Sequence, residues 1–172
     1  QLAVSLPGAT DEVQTAYDFD STNGFTVEYR IYMHTLQNFN AGVTKGQGNI
    51  AGPLDTYVNS SGQLAVFVGD GVLSNQITVP GFSAGQWYHI AITAAPGGAC
   101  EVFIDGASAG TWTHPGIANS ANPLMIGDRH DNATNSNADY DNVRIWSGIR
   151  TATEINDYKD HCLTGNETDL EV

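Results

Sequence analysis

Three groups of residues in this chain have types and spacings that could do chemistry. The first is His89, which sits in QWYHIAITAAPGGACEVFIDG (residues 86–106), inside an alternating apolar run. A histidine there could be a base or a metal ligand. A base needs a nucleophile or carboxylate within hydrogen-bond reach, and no neighbour in sequence offers one at that spacing. On the strand that the run implies, Trp87, His89, Ala91 and Thr93 share one face, and Tyr88, Ile90 and Ile92 share the other. His89 therefore reads as a member of a packed layer rather than as a reactive group.

The second group is the carboxylates. Asp18 and Asp20, and likewise Asp139 and Asp141, stand two apart, a spacing that brings carboxyl groups on a strand to about the 5 Å needed by a retaining glycosidase. Asp18 and Asp20 run straight into the turn Ser21-Thr22-Asn23-Gly24, however, and Asp139 and Asp141 lack a glutamate placed as the acid. The chain contains no Gly-x-Ser-x-Gly, His-Glu-x-x-His or phosphate-loop motif. The reading is a non-enzyme. Residues 128–142 offer Asp128, Asp131, Asn132, Asn135, Asn137, Asp139, Asp141 and Asn142, the hard oxygens that calcium prefers. This loop lacks the central glycine and the closing glutamate of a helix–loop–helix calcium site.

The third group could hold a sugar, whose C–H faces stack on aromatic rings. Tyr32, His34 and Phe39 flank a polar loop, Tyr57 stands close to Asn59, and Trp112 and His114 close a hairpin; Asn132 adds an amide. Each aromatic also has packing as its alternative role. Asn59, Asn132 and Asn166 form N-x-[ST] sequons, at a frequency this composition produces by chance.

The chain has 172 residues, with 19 acidic and 6 basic side chains, a net charge of -13 and 41% hydrophobic residues. That length suits one domain, residues 1–172, with a real core. The negative field repels phosphate backbones and anionic lipid, so neither nucleic acid nor a membrane surface is an expected partner. No apolar stretch reaches the roughly 18 residues of a membrane span. Cys100 and Cys162 are too few for a disulfide scaffold; in a secreted protein they are expected to pair with each other, two separate buried thiols being the alternative.

Strands must position these groups. Alternation marks 24–33, with Phe25, Val27, Tyr29 and Ile31 on one face, then 63–69, 75–81, 86–93, 100–106, 110–116, 123–128 and 140–146. Ala95-Pro96-Gly97-Gly98 turns one hairpin. Only 151–162 reads as a helix, with Thr151 as N-cap and Glu154 completing a capping box. Short strands at regular spacing predict an all-β antiparallel two-sheet sandwich with one short C-terminal helix.

Several phrases then resemble one family in order. They are Phe25-Thr26-Val27-Glu28, Trp87-Tyr88-His89-Ile90-Ala91, Val102-Phe103-Ile104-Asp105-Gly106, Pro123-Leu124-Met125-Ile126-Gly127 and Asp141-Asn142-Val143-Arg144-Ile145-Trp146, the last followed by Arg150-Thr151-Ala152-Thr153-Glu154-Ile155. Together they are similar to the LamG-like jelly rolls of the laminin G, pentraxin and concanavalin A-like lectin/glucanase group. Leu2 to Val13 looks like that family's opening strand. The resemblance implies a module of a longer, secreted or surface multidomain protein, since such domains run on into a further strand beyond Val172. It implies glycan or polysaccharide binding or adhesion, supported by calcium near the sandwich edge. The matching aspartate is Asp141, with Asp11 in the opening segment, and Asp139, Asp128 and Asp131 complete the candidate set. A surface-protein interaction or spacer role is the alternative, and a glycoside hydrolase or polysaccharide lyase the second. The polar stretch 127–141 departs from the family pattern.

Overall fold

The computed structural model describes residues 3–8, 11–47, 50–129 and 136–171. Among them thirteen strands run in chain order: β1 (Val4–Leu6), β2 (Val13–Thr15), β3 (Phe25–Met33), β4 (Asn40–Ala41), β5 (Val43–Gln47), β6 (Ile50–Val58), β7 (Gln63–Gly69), β8 (Ser74–Pro80), β9 (Trp87–Ala94), β10 (Ala99–Ile104), β11 (Ala107–Thr113), β12 (Leu124–Ile126) and β13 (Ala138–Ser147). One helix, α1 (Ala152–Tyr158), follows. A six-stranded sheet takes the order β1-β13-β3-β9-β10-β11, and a seven-stranded sheet the order β2-β12-β5-β6-β7-β8 with β4 beside β6. The result is an antiparallel β-sandwich.

Period-2 alternation explains the core. Phe25, Val27, Tyr29, Ile31 and Met33 of β3 and Ile90, Ile92 and Ala94 of β9 are buried between the sheets, against Leu54 and Val58 of β6 and Leu64, Val66 and Val68 of β7. The intervening residues of β3 and β9 therefore face outward, and α1 covers part of that outer face: Ile155 packs on Ala91 and Phe103.

Three details differ from the sequence expectation. The opening segment is two strands, not one: β1 pairs with β13 in one sheet and β2 with β12 in the other. Pro7 and Gly8 break it, and Asp11 Oδ2 accepts the Gly8 amide at 3.0 Å across the turn. Strands β4 to β6 carry no clean alternation, because β6 includes Gly52 and Pro53 and its register with β5 shifts near Lys45. The helix has the expected capping box, with Thr151 and Glu154 bonded reciprocally, but it ends at Tyr158. Its last carbonyls are met from the sheet: Arg144 donates to Tyr158 O at 2.7 Å and to His161 O.

The expected Cys100–Cys162 disulfide does not form. Cys100 points inward from β10 into the core cluster, whereas Cys162 is exposed beyond α1, on the outer side of the same sheet. A strand places successive side chains on opposite faces, so the sheet itself separates the two sulfurs. Burial pushes the Cys100 thiol up to about 12, which removes thiolate at neutral pH. Alkylation of the native protein is expected to label Cys162 alone, with Cys100 reacting only after unfolding. Rapid labelling of both thiols, or an unreduced mass two hydrogens light, would contradict this placement.

Candidate binding face

Where α1 stops covering the outer face of the six-stranded sheet, a patch of aromatic and charged side chains remains. Antiparallel register builds it. Asp139 of β13 stands opposite Tyr32 of β3, which stands opposite Trp87 of β9; in the next row Asp141 faces Arg30, which faces His89. Tyr32 and Trp87 have ring centroids 5.6 Å apart at 50°, and Tyr32 and His34 5.3 Å apart at 70°. The Arg30 guanidinium lies 5.5 Å from the Trp87 ring centre, within cation–π range. Trp87 is 37% exposed, and His34 is exposed as well.

Polar contacts hold this patch in place. His34 Nε2 donates to Asp139 Oδ1 at 3.1 Å. Burial raises the Asp139 carboxyl, but hydrogen bonds from Ser5 and His34, with the His34 charge, outweigh it and hold it below the usual range. Asp139 is thus an anchored acceptor beside two rings. Asp141 accepts the Asn142 amide at 2.8 Å.

One row further in, under α1, the face is closed. Glu28 is fully buried; it accepts from the Trp146 indole at 2.7 Å and from His89 Nε2 at 3.0 Å. His89 therefore has a carboxylate partner after all, supplied by β3 from 61 positions away rather than by its sequence neighbours. Its backbone amide donates to Asp105 and its Nδ1 has no hydrogen-bond partner. Shielded by the helix, the pair has no access to a substrate.

The other sequence candidates are scattered. Tyr57 stands on the outer face of the opposite sheet, with Phe39 at 4.9 Å and Phe67 at 6.0 Å. Asn59 folds the β6–β7 turn, its side-chain oxygen accepting the Ser61 and Gln63 amides. Trp112 packs against the core at the β11 edge, and both ring nitrogens of the buried His114 are bonded to carbonyls. Asn132 and Asp131 lie outside the described residues. Of the ligand candidates among the described residues, the fold unites Tyr32 and His34 only, and it adds Trp87 and Arg30. Sequence reasoning placed Trp87 on the face of His89 without anticipating its exposure; the alternation was the signal, and α1's limited reach decided the outcome.

The described calcium candidates do not converge. Asp11 caps its own turn, Asp139 is bonded to His34, and the buried Asp128 accepts the Arg129 amide at 2.6 Å. Among the described residues no three His, Cys, Asp or Glu side chains gather in a way that could hold a metal.

Two antiparallel sheets packed face to face around one core define the molecule as a β-sandwich of the jelly-roll kind. The family model for the concanavalin A-like lectin/glucanases superfamily matches residues 7–156, and the chain belongs to that superfamily. No curated protein matched the sequence. Among solved structures, the heptameric SAP-like pentraxin of Limulus polyphemus is similar at 20% identity and a TM-score of 0.66, over 88% of this chain and 78% of that one. A protein from Bacteroides ovatus proposed to bind carbohydrate aligns at 16% identity with a TM-score of 0.75, over 98% of this chain and 49% of that one. The receptor-binding domain of a botulinum neurotoxin C/D mosaic aligns at 12% identity with a TM-score of 0.72, over 91% and 41%. The chain spans about half or less of the last two. At these identities the likeness is one of fold.

Proposed function

We propose that this chain is a non-catalytic glycan-binding module of a secreted or surface protein, and that its contact surface is the patch of Trp87, Tyr32, His34, Arg30 and Asp139. The observation that carries this reading is Trp87, a large ring exposed on the face of a sheet and flanked by a second ring. Rings in this setting offer rigid apolar area to sugar C–H faces at low entropic cost, while the anchored Asp139 and the Arg30 fork supply the few polar contacts that fix orientation. The carboxylate pair Asp139 and Asp141 serves structure and orientation, since Asp139 is tied to His34 and Asp141 to its own backbone turn.

The test is a panel of soluble oligosaccharides titrated against the domain, with Tyr57→Ala as a control on the opposite sheet. Binding of at least one glycan, unchanged in Tyr57→Ala, is expected. A silent panel, or a loss in the control as deep as the affinity itself, would move the site or remove the glycan.

Calcium enters the proposal as a structural ion near the 128–141 loop, supported by the acidity of that stretch. A ligand held only by the folded state adds about 2.7 kcal/mol at 100-fold over its dissociation constant, or several degrees of melting temperature for this size. Unfolding followed in calcium and then in chelator is expected to show that shift. Identical curves would remove the ion and leave the aromatic patch untouched.

A further inference from the structure

All six lysines and arginines of the chain lie among the described residues, and each is already engaged within the fold. Lys45 is buried, 3.0 Å from Asp18 and bonded to Asn122 O at 2.8 Å. Arg129 lies 3.7 Å from Asp55 and over the Phe39 ring. Arg144 caps α1 from beneath, and Arg150 stacks 3.9 Å from the Trp146 ring centre. Lys159 is paired with Asp160. Arg30 is the one that stands beside Trp87, and its surroundings are acidic: Asp141 faces it across the β3–β13 ladder, and the Asp160 carboxylate senses its charge.

From this arrangement, and resting on the glycan reading above, we infer that the ligand of the Trp87–Tyr32 face is a neutral glycan, and that sialylated, uronic-acid-bearing and sulfated glycans are refused. Recognition of a carboxylate or sulfate relies on an Arg or Lys whose donors are available. Here the one cation of the patch lies over the ring that would receive the sugar, Asp141 faces it across the ladder and the Asp160 carboxylate is within reach of its charge, so an incoming anion meets carboxylates as well as the guanidinium. An acidic sugar would also approach Asp139 and Asp141 within a chain of net charge -13, and like charges brought together oppose binding. A neutral ring meets none of this. The two rings add a further restriction. Tilted by 50°, they cradle a single twisted chain rather than lie flush on a planar crystalline surface.

The test titrates matched pairs by calorimetry on the intact chain: lactose against 3′-sialyllactose, chitotriose against its 6-O-sulfated form, and cellotetraose against its C6-oxidised uronate. The neutral member is expected to bind at least about tenfold tighter wherever a pair binds, with an affinity that does not change from low to high salt. An acidic member that binds equally well or better would overturn the inference while leaving the glycan reading standing. If no member of any pair binds and the wider panel is also silent, both fall.

Discussion

Replacing Trp87 by alanine is expected to abolish most glycan binding while leaving the fold in place. Trp87 begins β9 with 37% of its surface exposed, and its indole meets Tyr32 and the Arg30 guanidinium rather than the interior. Aromatic anchors at the centre of a binding patch cost about 2 kcal/mol or more when truncated, or roughly thirtyfold in affinity. Its exposure limits the stability cost to within about 1 kcal/mol. The decisive comparison is with Trp87→Phe, which restores a ring without the indole and should recover much of the loss. A Trp87→Ala variant that binds the panel as wild type does would place the site elsewhere on the sandwich.

The second large effect concerns the fold. Glu28→Ala is expected to destabilise the protein by about 3–5 kcal/mol, the range for removing one partner of a buried charged network. Glu28 is fully buried and holds the Trp146 indole through one oxygen and His89 through the other. Its charge also favours the buried Arg144 guanidinium, against the burial that lowers it. Truncation strands an indole donor and an imidazole under α1 and removes a favourable charge from beside Arg144. At roughly 2–4 °C per kcal/mol for this size, the melting temperature should fall by about 10 °C. Glu28→Gln, which still accepts from Trp146, should cost about 1–2 kcal/mol. If Glu28→Ala melts within two degrees or so of wild type, the network is not what seats the helix.

The two predictions separate along one sheet face, and the helix draws the line between them. Ile155 covers Ala91 and Phe103, and the α1 C-terminus is capped by Arg144; beyond that reach the same strands become the open patch. The sequence reading put Phe25, Val27, Tyr29 and Ile31 on one face of β3, and it placed Trp87 and His89 together on one face of β9. It had no means of telling which outward residues the helix would cover.

Local pattern was enough for most of the strands and for the helix start. Period-2 alternation in β3, β7 and β9, the Ala95-Pro96-Gly97-Gly98 turn and the Thr151–Glu154 capping box are short-range features, and their physics acts between residues a few positions apart. The family phrases in register confirmed the sandwich. Where alternation was interrupted by Gly52-Pro53 or by Pro7-Gly8, strands were missed or merged. The site required more. His89 meets Glu28, Asp139 meets His34, and Trp87 meets Tyr32 only because β3 lies between β13 and β9. Cross-strand neighbours depend on sheet order and register, which a single strand's sequence does not specify. The same cause undid the disulfide: each cysteine alone was compatible with pairing, and the sheet between them decided otherwise.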